Sequence, residues 1–407
     1  MVEYKETNIP WIGKIPKDWK ISKGKNIYKI ETGALDVNAE DKDGKYPFFT
    51  CSMYPRKINS YSFNCEALLV AGNGIVGYTQ YYNGKFDAYQ RTYVLSDFKN
   101  VNPHFLKYYV SNNLSIEVLP NSVGSVIQFI KLSDLQNFNI CYPNYNEQEK
   151  IANILDKKIF EINEIIEKTQ NTIENYKSYK KSIITELVTN GLYKTQLQEI
   201  PNLHIRNIPL NWKYSKLKYV FEIRKDIAGT EGYDVLSITQ KGIKIKDLSN
   251  NSGQMAQDYS KYQLVNKGDF AMNHMDLLTG WVDISQYDGV TSPDYRVFRF
   301  IKPEKYDSKY YLYLMQMCYI DKIFYDLGQG VSNLGRWRLQ ADKFLNFVIP
   351  IPPIEEQKEI SNYLDLRCSE IDKLIATNEK MIQDLNNYKK SLIYEYVTGK
   401  KEVRENV

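Results

Sequence analysis

The sequence predicts an α+β protein: two mixed α/β globular domains and two long helices that pair as an antiparallel coiled coil, duplicated about a pseudo-two-fold axis. Three observations carry this. Motifs in the first half recur in the second, in the same order. Residues 147–189 and their counterpart contain neither proline nor glycine and show heptad patterning. The segments between them alternate short apolar runs with glycine and asparagine turns, as mixed α/β domains do.

The repeat defines the order globular–helix–globular–helix. Ile15-Pro16-Lys17-Asp18-Trp19-Lys20 returns as Ile208-Pro209-Leu210-Asn211-Trp212-Lys213, an offset of 193. Tyr142-Pro143-Asn144-Tyr145-Asn146-Glu147-Gln148-Glu149-Lys150-Ile151 matches Pro352-Pro353-Ile354-Glu355-Glu356-Gln357-Lys358-Glu359-Ile360 at an offset of 209. The difference of 16 places extra residues in the second copy, assigned to 242–259. The expected parts are a globular domain at 1–142, a helix at 143–192, a second domain at 193–349 and a second helix at 350–407.

In the first domain, residues 67–71 and 91–95 read as buried strands. Gly72-Asn73-Gly74 and Asn83-Gly84 read as turns, and residues 103–110 as a short helix. A glycine loop and an apolar stretch then lead to Pro143. Asn146, with Glu149 three residues on, has the pattern of an N-cap and capping box for the first long helix. Its seam is Ile162, Ile166, Ile173, Tyr176, Ile183 and Leu187. In the second domain, residues 270–272 and 295–300 take the strand parts and 310–317 the helical part. The second seam is Ile371, Ile375, Ile382, Leu385, Leu392 and Tyr396. Polar residues interrupt both seams at matched places, Thr169 and Lys180 in one, Asn378 and Lys389 in the other, as register-fixing positions would. Each helix is a rod of about 65 Å. The alternative is that each helix packs on its own domain. Duplication favours pairing, and a two-fold axis across the pair makes it antiparallel.

Composition narrows the function. The chain has 407 residues, 43% hydrophobic and 25% charged, which suits folded domains. No apolar run could span a bilayer, and the first residues lack the apolar core of a signal peptide. Five scattered cysteines form no CxxC pair, and three histidines (His104, His204, His274) lie far apart. These features fit a reducing cytoplasm and disfavour a metal centre or a Ser-His-Asp triad. Residues 1–142 carry 16 basic and 13 acidic residues, and residues 193–349 carry 21 and 17, whereas the two helices together are slightly acidic. Basic domains on acidic rods suit domains that face phosphate and rods that face protein.

No P-loop is present. Gly72-Asn73-Gly74 with Gly77 has the spacing of a dinucleotide fingerprint, but β-branched and aromatic residues follow it, so it reads as the turn of a strand pair. Asn102-Pro103-His104-Phe105 lacks the second proline of an amino-methyltransferase box. The chain therefore reads as a binder or scaffold without catalytic residues, cofactor or metal.

Taken together, the head motifs, residues 67–77, residues 124–135 with their counterpart at 330–344, and the Pro-x-x-Glu-Gln start of each helix resemble the specificity subunit of a bacterial type I restriction–modification system. The resemblance covers nearly the whole chain. It implies two target recognition domains that read the two parts of a split site in double-stranded DNA, held apart by the antiparallel helices. It also implies methyltransferase subunits docked on the helices and a restriction endonuclease subunit. S-adenosylmethionine, ATP and Mg would then belong only to those partners. The longer second domain is the one departure from the pattern.

Reading base edges calls for Arg toward guanine and Asn or Gln toward adenine. The turn-rich segments offer Arg56, Lys57, Gln90, Arg91, Ser125 and Gln128 in the first domain. They offer Asn273, His274, Arg296, Asn333, Arg336 and Arg338 in the second. Each is also an ordinary kind of surface residue. Trp337, between two arginines, reads as core. Two rival functions remain: a coiled-coil protein-interaction scaffold without DNA specificity, whose binding would not weaken steeply with salt, and a fused modification–restriction enzyme, which the missing motifs disfavour.

Overall fold

The computed structural model describes residues 3–75, 77–118, 129–247, 258–330 and 337–403. The chain forms two compact units, one of residues 1–170 with 379–407 and the other of residues 171–378. The division cuts both long helices, Tyr145–Asn190 and Ile354–Val397. Each unit thus holds its own globular body, the first part of one long helix and the last part of the other. Among the described residues, no helix is long and apolar enough to cross a membrane.

The first body is built on a six-stranded sheet in the order Lys29–Thr32, Thr92–Ser96, Phe63–Ala71, Thr79–Ala88, Tyr46–Phe49, Arg56–Ile58. All neighbours are antiparallel except Tyr46–Phe49 beside Thr79–Ala88. The second body has a four-stranded antiparallel sheet in the order Phe221–Arg224, Arg296–Phe300, Phe270–Met272, Val282–Ile284. Helices Pro103–Val118 and Ser308–Ile320 occupy matching places. One inner face of each sheet carries large apolar residues, Leu68, Val70 and Leu95 in one body and Phe221, Phe270 and Phe298 in the other, all fully buried. Burying each such side chain contributes about 1.5–3 kcal/mol.

Two sequence expectations are corrected here. Asn83-Gly84 is not a turn: Asn83 pairs with Glu66 and Gly84 with Cys65 inside a long antiparallel ladder. That ladder satisfies the backbone groups a turn would have left open. The first long helix is capped by Asn144 rather than Asn146, since the Asn144 Oδ1 accepts the Glu147 N–H at 3.0 Å. The helix therefore begins one residue after Asn144, at Tyr145. In the expected insertion, Gly242–Ile245 forms a hairpin with Leu236–Thr239, and residues 248–257 lie outside the described residues.

The Glu-Gln pair at each helix start ties the helix to its body. Gln148 is fully buried; its Oε1 accepts the Asn102 N–H at 2.7 Å, and its Nε2 donates to the carbonyls of Pro143 (2.9 Å) and Asn100 (3.1 Å). Gln357 repeats this, accepting the Asp307 N–H at 2.8 Å and donating to the Pro352 carbonyl at 2.8 Å. The neighbouring glutamate meets the tryptophan of the head motif. Trp212 donates its indole N–H to Glu356 at 2.9 Å. Burial and Asp18 raise the Glu147 pKa, and a hydrogen bond from Trp19 draws it back down.

The helix ends arrive at the same place. Gly191, with φ +76°, follows the first helix, and a Cβ there would lie 2.7 Å from the Glu356 Oε1 and 2.9 Å from the Trp212 ring. Gly399, with φ +70°, stands likewise against Trp19 and Pro16. In each unit, the end of one long helix thus meets the start of the other, and the pair is antiparallel.

All twelve seam residues are buried or half-buried. Of the four polar seam residues, only two reach the facing helix. Lys180 binds both carboxylate oxygens of Asp372 at 2.7 Å, and Lys389 donates to the Asn163 side chain at 3.0 Å. Thr169 and Asn378 depart from the expected register-fixing part. Their side chains donate to the carbonyls of Ile165 (2.7 Å) and Leu374 (2.8 Å), one turn back on their own helices. Short polar side chains in a helix satisfy themselves this way more readily than across an interface.

Replacing Gln148 or Gln357 with leucine strands buried backbone groups and should cost on the order of 3 kcal/mol. Urea unfolding of the full chain measures this; a loss below about 0.5 kcal/mol, the scale of a surface substitution, would contradict it.

Candidate nucleic-acid interface

In the first unit, four loops meet at one end of the six-stranded sheet. The Gly72 N–H donates to the Arg91 carbonyl at 3.0 Å, and the Ile130 N–H donates to the Gly72 carbonyl at 3.0 Å. Cys51 Sγ donates to the Arg91 carbonyl at 3.3 Å. Gln80 and Tyr78 donate to the carbonyls of Ser52 and Met53 at 3.1 and 3.3 Å. These bonds gather residues 50–55, 72–75, 77–80, 89–91 and 129–131.

Of the residues chosen from sequence, Gln90 and Arg91 sit in this cluster and are exposed. Gln90 lies 3.5 Å from the Asp36 carboxylate. Arg56 and Lys57 lie on the outermost strand; Lys57 is exposed, and Arg56 forms an ion pair with Glu40 at 2.5 Å. Ser125 and Gln128 lie outside the described residues. The sequence reading missed Met53, Tyr54 and Ile75, which are 51%, 78% and 58% exposed in the same cluster. A tyrosine so exposed offers a flat ring for stacking or for packing on sugars. The run Cys51-Ser52-Met53-Tyr54-Pro55 carried no signal beyond its proline.

The second unit has a different arrangement. A cleft of about 310 Å³ opens between strands Phe221–Arg224 and Arg296–Phe300, the segment after Phe270–Met272 and residues 338–341. Three arginines (Arg224, Arg296, Arg338) and Lys225 line it, and no carboxylate is among its lining residues. Arg224 is paired with Asp226 and Glu222. Arg338 and Lys225 are exposed.

Arg296 departs from the expected part. It is only 4% exposed, because it opens a strand whose neighbour Met272 is core, so it cannot extend to a base edge. Its Nη2 donates to the Leu339 carbonyl at 2.9 Å, and its guanidinium lies 4.8 Å from the Phe344 ring centre. Its Nη1 has no hydrogen-bond partner among the described residues. Burial pulls its pKa down to about 10, which leaves it protonated at neutral pH.

His274 lies in the same cleft, and its Nδ1 is also unpartnered among the described residues. Burial, then the charges of Arg296 and Arg338, push its pKa down to about 3. Asn273 is half-buried; its side chain accepts the Met275 N–H at 3.2 Å and so shapes a turn. Asn333 and Arg336 lie outside the described residues. Trp337 packs inward as expected, stacked on Tyr325 and donating to the Tyr325 carbonyl at 2.5 Å.

The remaining motif residues are structural. The Asn102 Oδ1 caps helix Pro103–Val118 by accepting the N–H groups of His104 (2.9 Å) and Phe105 (3.2 Å).

His274 makes the second unit sensitive to acid. The unfolded chain takes up a proton near pH 6.5, and the folded unit does not until about 3. The stability difference is therefore fully present above 6.5 and is lost as pH falls through this window. The urea midpoint of the wild-type chain should fall more between pH 7 and pH 5 than that of His274→Asn. Equal falls would remove His274 as a cause.

Comparison with known proteins adds the following. The family profile described as "Type I restriction modification DNA specificity domain" matches residues 16–175 and 209–387, once in each half. The chain is 25% identical to the type I restriction enzyme EcoDI specificity subunit of Escherichia coli, across 95% of this chain and 89% of that one. It is 26% identical to the type I restriction enzyme MjaVIII specificity subunit of Methanocaldococcus jannaschii, across 98% and 97%. Among solved structures, a chain from a study of complex assembly and conformational transition of the type I R-M system matches with a TM-score of 0.69 at 12% identity, over 94% of this chain and 98% of that one. The HsdS subunit from Thermoanaerobacter tengcongensis matches with a TM-score of 0.53 at 13% identity, over 95% and 98%. At such identities the structural matches speak for the fold.

Proposed function

Because the chain belongs to the type I restriction–modification DNA specificity family, we propose that it is the specificity subunit of such a complex, reading a two-part site in double-stranded DNA. One observation carries the reading: two copies of one framework bear unlike loop clusters. The first unit presents exposed Tyr54, Met53 and Ile75 beside Gln90 and Arg91. The second presents a cleft of arginines and lysine. Two different surfaces on a repeated framework suit two different half-sites.

The same reading gives the chain no chemistry of its own. It positions methyltransferase subunits that use S-adenosylmethionine and a restriction endonuclease subunit that uses ATP and Mg, and it works in the cytoplasm. The acidic helices, with exposed carboxylates such as Glu161, Glu174 and Glu379, are the natural faces for protein partners.

Two experiments test this. Incubation of the lone chain with labelled S-adenosylmethionine and mixed-sequence DNA should transfer no label, while addition of its methyltransferase subunit should restore transfer; label transfer by the lone chain would overturn the non-catalytic reading. Exchanging residues 1–142 for the matching domain of a relative should change one half of the methylated site and leave the other. A change in both halves would contradict independent reading. Affinity for DNA that does not respond to salt would return the protein-scaffold reading.

A further inference from the structure

The two halves satisfy one structural need with different chemistry. In the first unit Tyr93 lies opposite Val70, and two residues beyond Val70 the Gly72 carbonyl accepts the Ile130 N–H at 3.0 Å. In the second, Arg296 lies opposite Met272, and two residues beyond Met272 the His274 carbonyl accepts the Leu339 N–H at 3.0 Å. Tyr93 and Arg296 thus hold the same position. They also make the same bond: the Tyr93 hydroxyl donates to the Ile130 carbonyl at 3.1 Å, and Arg296 Nη2 donates to the Leu339 carbonyl at 2.9 Å.

A neutral hydroxyl is therefore enough for this bond, and it leaves no donor over. Arginine adds a full charge and an unpartnered, buried Nη1, on a side chain that is 4% exposed and lines a cleft. Burying a charge without a carboxylate partner is unfavourable, and the Phe344 ring 4.8 Å away offsets only part of that cost. The surroundings point the same way. His274, with an unpartnered Nδ1, and exposed Arg338 and Lys225 line the same cleft, and no carboxylate among the lining residues offsets them.

We propose that this cleft binds a phosphate group of the DNA backbone, held at the rim by Arg338 and Lys225 over the buried charge of Arg296, with Arg296 Nη1 and His274 Nδ1 turning toward it as donors on binding. The proposal rests on the DNA-binding reading above and refines it. A phosphate is small enough for the cleft and accepts several hydrogen bonds at once. A base edge in a groove suits the site less well, because Arg296 is 4% exposed and bonded to the Leu339 carbonyl and so does not project from the surface. Arg296 would fix the position of the second unit on the duplex rather than read sequence.

The test uses the full chain and a duplex pool selected on the wild-type chain. Arg296→Tyr copies the first half, so it can keep the bond to Leu339. Affinity is measured against salt concentration for wild type and variant, with thermal unfolding as the check on folding. Loss of one phosphate contact should lower the slope of log affinity against log salt by about 0.9, with unchanged sequence preference. An unchanged slope overturns the proposal. Arg338→Gln changes an exposed rim residue and should lower the slope in the same sense; if Arg296→Tyr fails to fold and Arg338→Gln leaves the slope unchanged, the proposal is also overturned. Inorganic phosphate at constant ionic strength, raising the melting temperature of wild type but not of Arg296→Tyr, supports the site when the slope falls as well. The same protection with an unchanged slope assigns the cleft to free phosphate and overturns the DNA source. A wild-type chain whose DNA affinity ignores salt overturns the DNA-binding reading itself, and this proposal with it.

Discussion

The buried glutamine at the fourth position of each long helix is the tie on which the rest of the architecture depends. A primary amide is both donor and acceptor, and Gln148 uses both functions on three backbone groups: the Asn102 N–H and the carbonyls of Asn100 and Pro143. Glutamate could only accept and would bring a buried charge; leucine could do neither. The partners lie just after strand Asn139–Tyr142 and just before helix Pro103–Val118, so one side chain ties both to the long helix. Asn102 then passes the constraint on. Its N–H is held by Gln148 while its side chain caps the helix that follows. Asp307 does the same in the second unit, giving its N–H to Gln357 and accepting the Tyr310 N–H at 2.9 Å. A helix of some 45 residues multiplies any angular error at its root, which explains why the root is bonded rather than merely packed.

A second tie lies about two turns further along each helix, at Asp156 and Asp365. Tyr313 donates to Asp365 at 2.9 Å and Tyr108 donates to Asp156 at 2.5 Å, each from the short helix to the long one. Burial, aided by those carboxylates, raises both tyrosine pKa values, so the hydroxyls stay protonated and keep donating. The repeated positions are those where a substitution would leave a buried group without a partner. The loops carry no such obligation, and there the halves diverge.

That division decides what could be read from the sequence. The duplication, the long helices and their seams were legible because each depends on local pattern: heptad spacing, the absence of breakers, a motif met twice. The Trp and Glu-Gln motifs were visible as recurrences, but their bond joins residues 144 apart in the second half, which no local pattern reveals. Asn83-Gly84 misled because turn chemistry is a weak preference that a long ladder overrides. Thr169 and Asn378 sit at the right heptad positions, yet side-chain length decided between the facing helix and their own carbonyls; Lys180 and Lys389 could span the gap.

The candidate site was the least legible part because contact with a ligand depends on which way a residue faces. Arg296 and Arg338 look alike in the sequence. One opens a strand beside the core residue Met272 and is buried, and the other lines the same cleft with its side chain exposed. What marks Arg296 is the comparison between the halves: tyrosine there in one, arginine in the other, each bonded to the equivalent carbonyl. A duplicated protein thus carries its own control. Where both copies use the same chemistry for a bond, the fold requires it; where one copy adds a buried charge that the other does without, the bond to the carbonyl does not require the excess, the Phe344 ring offsets it only in part, and a bound anion would complete the compensation.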